Sequence, residues 1–168
     1  MAEMVLTTER LRLILETREI VLARVESLSP SERAEVSADW LARATAASAA
    51  DPWLHGFAVK DRTNGALLGG CAFKGHPDAE GVVEIAYGID PAYQRRGYAT
   101  EASQALIAFA RNSGLVRVVR AHTRAGNVAS ERVLAKCDFQ PIGEVIDPED
   151  GQVWRWERPI EGIRLRSV

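Results

Sequence analysis

Residues 82–109 of this chain, VVEIAYGIDPAYQRRGYATEASQALIAF, combine a strand, a basic loop and a helix in direct succession. The apolar run Val82–Ile89 predicts a strand, and Asp90-Pro91 ends it because proline cannot donate a hydrogen bond to a neighbouring strand. Apolar side chains then recur at residues 102, 105, 106 and 109, a spacing that places them on one face of a helix. The stretch therefore predicts a strand that leads through a basic loop into a helix N-terminus.

The loop between this strand and this helix has the features of an anion site. Gly97 stands at the entrance to the helix, where several backbone N–H groups lack a partner within the helix and the helix dipole favours negative charge. Arg95 and Arg96 add charged donors. The sequence here is neither a Walker loop nor Gly-x-Gly-x-x-Gly. We expect a phosphate-bearing ligand, and the alternative is an ordinary surface loop with solvated arginines.

In this setting the sequence QRRGYA, residues 94–99, resembles the acetyl-CoA pyrophosphate loop of the GNAT superfamily of N-acetyltransferases, written Gln/Arg-x-x-Gly-x-Gly/Ala. The resemblance implies a set of residues that hold the pyrophosphate: Arg95, Arg96, Gly97, Tyr98, Ala99 and Thr100. It also implies that the preceding strand splays from a parallel neighbour. Main-chain groups near Tyr87, Gly88 and Ile89 would then hold the pantetheine arm.

A second segment, residues 127–139, resembles the family's later motif, Asn-x-x-Ala/Ser followed by tyrosine and then by Gly-Phe. The resemblance implies that the Asn127 side chain contacts CoA. Asparagine is also a favoured helix N-cap, and the two roles are compatible. The frequent tyrosine of the motif, an acid toward the CoA thiolate, is Leu134 here. The glycine that usually precedes the phenylalanine of the motif is Asp138 here, so the motif does not predict the conformation of the chain at this position.

Two residues are candidates for the chemistry. Ser130 occupies the position where the Rim-type branch, acetyltransferases of ribosomal-protein N-termini, carries a serine proposed as the acid; the alternative is a hydroxyl bonded within its own helix. The sequence EIAY, residues 84–87, resembles Glu-Ile-Gly-Tyr of that branch. Glu84 is the candidate base, directly or through water, and its alternative is a solvated carboxylate. A weakly placed base suits an α-amine, whose deprotonation at pH 7 costs about 1.4 kcal/mol, against about 4.6 kcal/mol for lysine.

The composition predicts one soluble globular domain over residues 1–168. Hydrophobic residues make up 46% and charged residues 26%, and no apolar stretch approaches the roughly 20 residues that span a bilayer. The first residues lack the basic and apolar regions of a signal peptide, so we expect a cytoplasmic protein that does not enter a membrane. The net charge of −2 argues against nucleic acid as a partner. Neither the two cysteines, Cys71 and Cys137, nor the three histidines have the spacing of a metal site, so we expect no metal.

Along the chain we expect the element order β-α-α-β-β-β-α-β-α-β-β. The first strand is predicted at Leu11–Leu15, and one helix is predicted from the capping box at Ser29 to about Ser48. This order predicts an α+β fold with a mixed sheet and helices on both faces. It resembles the GNAT fold, a twisted, mostly antiparallel sheet of about seven strands flanked by four helices. The segment beyond Pro159 is expected to be irregular.

The resemblance as a whole implies an acetyl-CoA-dependent N-acetyltransferase, closest to the Rim-type branch, that transfers the acetyl group directly in a ternary complex. The acceptor would be a primary amine, either a peptide N-terminus or a small molecule. Members of the family are often dimers, so the resemblance also implies a homodimer. Two alternatives stay open. One is a non-catalytic acyl-CoA-binding module that regulates a partner. The other is a tRNA- or ribosome-directed toxin, which the net charge of −2 disfavours.

Overall fold

The computed structural model describes residues 3–148 and 150–160, and one eight-stranded sheet carries its fold. The strands are β1 (Val5–Thr7), β2 (Leu11–Leu15), β3 (Phe57–Asp61), β4 (Leu67–Phe73), β5 (Val82–Ile89), β6 (Val118–Thr123), β7 (Gln140–Asp147) and β8 (Gly151–Pro159). The helices are α1 (Arg18–Glu26), α2 (Pro30–Ala34), α3 (Ala38–Ala46), α4 (Tyr98–Ser113) and α5 (Val128–Lys136). In space the strands follow the order β1-β2-β3-β4-β5-β6-β8-β7. The predicted class, a mixed α/β fold with a mostly antiparallel sheet, is confirmed.

The strand pair β5 and β6 differs from every other neighbouring pair in the sheet because it is parallel. The two strands pair over three positions, and the last of these joins Glu84 to Arg120. Beyond Glu84, β5 continues to Ile89 and pairs there with β4 alone among the strands described. A wedge therefore opens between β5 and β6 with Glu84 at its apex, and the splay implied by the family resemblance is present.

The sheet holds one strand more than the predicted number of about seven. The additional strand is β1, which pairs with β2 in a hairpin through Val5 and Ile14. Its three residues are too few for an alternating pattern to be recognised. The predicted bounds of β2 and β5 agree with the structure. The segment predicted to be irregular, beyond Pro159, lies outside the described residues from position 161 onward.

The single helix predicted from Ser29 to about Ser48 is wrong, and the structure has two helices there. The capping box of Ser29 and Glu32 begins α2 as predicted, but α2 ends at Ala34. Ser37 then begins α3, because its side chain accepts a hydrogen bond from the Trp40 N–H at 3.1 Å. A serine that satisfies the first N–H groups of a new helix competes with continuation of the old one. This division gives five helices in place of the four predicted.

The core lies between the sheet and α4. Val83 and Ile85 of β5 are buried on the same face of the sheet and share one apolar cluster with Leu106 and Ile107 of α4. Because side chains alternate along a strand, Glu84 points to the opposite face. Within the described residues, every helix is too short or too polar to traverse a lipid bilayer.

The close approach of β4 to β5 depends on Gly69. A Cβ at this position would lie inside contact distance of the Gly88 carbonyl oxygen and 2.9 Å from the Ile89 Cα. Both obstacles are backbone atoms of β5, so the strand itself would have to move. We predict that Gly69→Ala lowers the free energy of unfolding by roughly 2–3 kcal/mol, measured by chemical denaturation.

The adjacent glycine provides the matched control for this prediction. A Cβ at Gly70 would meet its nearest atom, the Phe57 carbonyl oxygen, at 3.5 Å, an ordinary contact. Gly70→Ala should therefore cost less than about 1 kcal/mol. Equal losses in the two variants would contradict the close approach of β4 to β5.

Candidate active site

A cavity of about 990 Å³ lies between the open end of β5, the loop after it, the first turn of α4 and one side of α5. We call it the loop cavity. Of the predicted site residues, these line it: Tyr87, Gly88, Ile89, Arg95, Gly97, Tyr98, Ala99, Thr100, Asn127 and Ser130. Arg96 and Glu84 do not. The structure thus brings two segments together that are separated by about 30 residues of sequence.

The loop at the mouth of this cavity has a backbone suited to an anion. Arg95 and Gly97 both adopt left-handed conformations, with φ of 66° and 81°. No side chain caps α4, and its Glu101 N–H donates to the Gly97 carbonyl at 3.0 Å. The N–H groups that precede Glu101 in the first turn belong to the set that a helix leaves without acceptors. Successive N–H groups in such a turn form a concave binding surface for phosphate or carboxylate.

Arg96 is oriented differently from the other loop residues. Its guanidinium lies over the Tyr93 ring at 6.0 Å from the ring centroid. Its carbonyl accepts a hydrogen bond from Arg10 Nη1 at 2.8 Å. The prediction that Arg96 contributes to phosphate binding therefore has no support from the position of its side chain, and a role for its backbone N–H stays a prediction.

A brace formed by Thr8, Arg10 and Glu101 ties the β1–β2 corner to this loop. Arg10 Nε donates to Glu101 Oε1 at 2.8 Å, and the Thr8 hydroxyl donates to Glu101 Oε2 at 2.5 Å. The Arg10 guanidinium also stacks over the Tyr98 ring at 4.6 Å. Sequence analysis missed the brace because its partners stand about 90 residues apart and no motif links them.

The brace predicts a pH dependence of stability. Burial alone would raise the pKa of Glu101, but hydrogen bonds from Thr8 and Arg10 outweigh it and hold the pKa below its ordinary value of 4.5. A lowered pKa in the folded state contributes stability that is complete above the unfolded value and is lost as the pH falls through the folded value. We expect Glu101→Gln to cost about 1–2 kcal/mol at pH 7. Thermal unfolding should show this difference from wild type shrinking below about pH 4, and a constant difference would contradict the brace.

The helix α5 begins at the predicted N-cap. The Ser130 N–H donates to Asn127 Oδ1 at 3.2 Å, and Asn127 also lines the loop cavity. At the other end, Asp138 adopts a left-handed φ of 64°, a conformation that aspartate enters more readily than most residues. The Phe139 N–H donates to the Leu134 carbonyl at 3.0 Å, so the turn forms without the family's usual glycine. Leu134 itself is fully buried in the core and presents no acid to the cavity.

Ser130 makes a hydrogen bond that joins α5 to β5. Its hydroxyl lies 2.8 Å from the Tyr87 hydroxyl, across the loop cavity. Burial raises the pKa of Tyr87 to about 12, although the bond to Ser130 acts in the opposite direction. The phenol therefore keeps its proton at neutral pH, and either hydroxyl of the pair can donate to the other. This pair is the nearest substitute in the described residues for the missing tyrosine acid.

Glu84, at the apex of the wedge, has partners that sequence analysis did not assign to it. Lys74 Nζ lies 3.3 Å from Glu84 Oε2, and His122 Nδ1 makes a short hydrogen bond to Glu84 Oε1. Burial alone would lower the pKa of Lys74, but the charges of Glu84 and Asp150 outweigh it and raise the pKa. The spacing of the three histidines along the chain does not indicate this contact. The signal that links His122 to Glu84 is the strand register, since Arg120, two residues before His122, pairs with Glu84.

A second cavity, of about 830 Å³, lies on the Glu84 side of the sheet. We call it the Trp40 cavity, and its lining includes Trp40, Lys74, Ala86 and Asp150. Tyr87, Gly88 and Ile89 border both cavities. The two cavities therefore meet at the open end of β5.

The two cysteines are buried, and burial raises the pKa of each thiol, that of Cys137 to about 11. Thiols held in the protonated form are poor nucleophiles. Among residues 3–148 and 150–160, no three His, Cys, Asp or Glu side chains gather as a metal site would require. The chemistry available at the wedge is that of carboxylate, imidazole, hydroxyl and backbone amide groups.

Comparison with known sequences agrees with this geometry. A family model described as an acetyltransferase (GNAT) domain matches residues 10–140. An uncharacterised N-acetyltransferase of Bacillus subtilis (strain 168), YjdG, is 32% identical over 89 residues, which are 53% of this chain and 51% of that protein. The chain thus matches about half the length of this curated relative.

Comparison with solved structures concerns the fold. A GNAT-family acetyltransferase from Bacillus anthracis is 21% identical, with a TM-score of 0.68, over 95% of this chain and 100% of that chain. RimL, a ribosomal-protein alpha-N-acetyltransferase solved in complex with coenzyme A, is 17% identical, with a TM-score of 0.66, over 94% of this chain and 98% of that chain. Both structures share the architecture described above.

Proposed function

Because the chain belongs to the GNAT acetyltransferase family, we propose that it transfers an acetyl group from acetyl-CoA to a primary amine, directly and within a ternary complex. The observation that carries the proposal is the meeting of two cavities at the open end of β5. One has an anion-binding loop at its mouth, and the other lies on the face of a candidate base. A donor and an acceptor would enter from opposite sides and meet there.

The loop cavity is the proposed site of the donor, and its residues suit a diphosphate on a long arm. The left-handed loop and the free N–H groups of α4 supply a cradle for the pyrophosphate. The β5 backbone from Tyr87 to Ile89 has no partner strand on its β6 side among the described residues, which leaves backbone groups for the amides of the pantetheine arm. The Ile89 carbonyl is the exception, since it accepts from Gln94 Nε2 at 2.8 Å. Asn127 lies across the cavity. Acetyl-CoA supplies the acetyl group as a thioester and acts as a cosubstrate.

The proposed proton transfers use groups on the two sides of the wedge. Glu84 accepts the proton of the acceptor ammonium, directly or through water, and the neutral amine attacks the thioester carbonyl carbon. As the C–N bond forms and the C–S bond breaks, the attacking nitrogen loses its second proton to water, and the Ser130 hydroxyl gives a proton to the CoA thiolate. Ser130 regains a proton through Tyr87, which is reprotonated from water, and Glu84 returns its proton to solvent. The buried cysteines take no part, so no acetyl-enzyme forms. Among acceptors, α-amines should be preferred to lysine side chains, since their deprotonation at pH 7 costs about 3 kcal/mol less.

The test is release of CoA thiol from acetyl-CoA over a panel of peptide N-termini, amino acids, polyamines and lysine peptides. We expect turnover with at least one α-amine, and a loss of about 10-fold in kcat for Ser130→Ala. The buried Leu134, in place of an acid, favours one rival function, a non-catalytic acyl-CoA-binding module. Tight binding of acetyl-CoA without turnover on any amine would favour that rival and contradict the proposal.

A further inference from the structure

A row of hydrogen-bonded side chains crosses three neighbouring strands on the Glu84 face of the sheet. Glu84 lies on β5, His122 on β6 and Arg155 on β8, and His122 and Arg155 stand directly opposite each other in the register. The His122 side chain is only 8% exposed. Its Nδ1 contacts Glu84 Oε1, and its Nε2 lies 3.1 Å from Arg155 Nε. The histidine is therefore enclosed between an acceptor and a donor.

The chemistry of the two neighbours decides which ring nitrogen of His122 carries the proton. A guanidinium has donors and no acceptor, so Nε2 must be the unprotonated nitrogen that accepts from Arg155. A neutral imidazole then carries its proton on Nδ1 and donates it to Glu84. The arrangement therefore makes His122 a donor to Glu84 through Nδ1 and an acceptor from Arg155 through Nε2.

The same row leaves the two oxygens of Glu84 in different situations. Oε1 is held by His122, whereas Oε2 faces the flexible ammonium of Lys74 at 3.3 Å. Lys74 lines the Trp40 cavity, is 35% exposed and lies 4.0 Å from Asp150. Glu84 itself does not line this cavity, but Lys74, the partner of Oε2, does. An acceptor ammonium that took the place of the Lys74 ammonium would therefore contact Oε2, while Oε1 stays with His122.

We propose that His122 is a positioning residue that acts through Glu84, so that Glu84 Oε2 receives the proton of the acceptor amine, and that Arg155 maintains the required tautomer. The inference rests on the proposed function of Glu84 as the base. It adds the atom that takes the proton and two residues that no motif indicates. Further charged groups around the row are Lys74, Asp147, Asp150, Arg124 and Arg120. Arg120 is paired with Glu157 at 3.2 Å.

The tautomer is tested without activity by nitrogen-15 NMR of the imidazole rings, with His122→Asn used for assignment. We expect His122 to be protonated on Nδ1 alone. His55 is an internal reference that should carry its proton on Nε2. Its Nδ1 accepts from the Asp51 N–H at 2.8 Å, and its Nε2 lies 3.0 Å from the Ala44 carbonyl. A protonated Nε2 on His122 would overturn the inference.

Kinetics test the positioning role with two replacements of one residue. The amide N–H₂ of His122→Asn can still donate to Glu84, whereas His122→Leu cannot. We expect kcat to fall about 10-fold in the leucine variant and to recover most of this loss in the asparagine variant, with KM for acetyl-CoA unchanged in both. His76→Leu, which alters an exposed histidine, is the control. Equal losses in the leucine and asparagine variants would overturn the inference.

The role of Arg155 predicts a change in the tautomer of His122. In Arg155→Met no donor faces Nε2, so the ring can also adopt the tautomer protonated on Nε2, which cannot donate to Glu84. We expect nitrogen-15 NMR to show both tautomers of His122 in this variant and kcat to fall by up to about 10-fold. A His122 protonated on Nδ1 alone in Arg155→Met would remove Arg155 from the inference. Absence of transfer by the wild type would refute the proposed function, whereas the NMR result would still decide the tautomer.

Discussion

Replacement of Glu84 by glutamine is expected to lower kcat by about 10²- to 10⁴-fold, the usual contribution of a positioned acid or base. Glutamine keeps the shape of the side chain and an oxygen for His122, but it has no basic oxygen to take the proton from an acceptor ammonium. The loop cavity does not include Glu84, so KM for acetyl-CoA should stay within about twofold of wild type. Steady-state thiol release with a saturating α-amine measures both constants.

Two comparisons separate loss of a base from loss of structure. Glu80→Gln removes an exposed carboxylate in the turn before β5 and should leave kcat unchanged. The defect of Glu84→Gln should also shrink at alkaline pH, above about pH 8, where an α-amine is already neutral. Full activity of Glu84→Gln at neutral pH would remove Glu84 from the mechanism.

Replacement of Gly97 by valine is expected to raise the dissociation constant of acetyl-CoA by about 10-fold or more. The left-handed conformation of Gly97, with φ of 81°, costs a residue with a side chain about 1–2 kcal/mol. A Cβ there would also lie 3.2 Å from Arg10 Nη2, at the brace that holds the loop. Both effects act on the backbone that we propose as the pyrophosphate cradle, and isothermal titration calorimetry measures the result.

The opposite end of α4 offers the matched control. Gly114 ends the helix with φ of 71°, and a Cβ at this position would meet no atom of the described residues within 4 Å. Gly114→Val should therefore lower the stability as much as Gly97→Val does, while acetyl-CoA binding stays unchanged. Equal weakening of binding in the two variants would show that Gly97 acts through helix stability alone.

The parts of the fold predicted from the sequence were those with local signals. The bounds of β5 and the N-cap at Asn127 follow from apolar runs, proline and capping chemistry within a few residues. Strand β1 was not predicted, because three residues are too few to show the alternation of a strand. The division between α2 and α3 was not predicted, because Ser37 acts as an N-cap only once the chain turns there. In these two segments, contacts with the rest of the fold determine the secondary structure more than the local sequence pattern does.

The parts of the site missed from the sequence were those that depend on register. Glu84 and Ser130 were selected as candidates by resemblance, yet His122 and Arg155 reach Glu84 only through the pairing of β5, β6 and β8. The brace between Arg10 and Glu101 likewise joins distant segments. No single motif contains either arrangement.

The most direct test of the account compares the binding of acetyl-CoA with that of acetyl-pantetheine, which carries the same thioester and arm but lacks the nucleotide diphosphate. Calorimetric titration of the wild-type protein should give one acetyl-CoA per chain. Acetyl-pantetheine should bind at least about 100-fold more weakly, because the N–H groups of the loop and the α4 dipole would have no pyrophosphate to hold. Equal affinity for the two compounds, or no binding of acetyl-CoA at millimolar concentration, would contradict the assignment of the loop as the donor site.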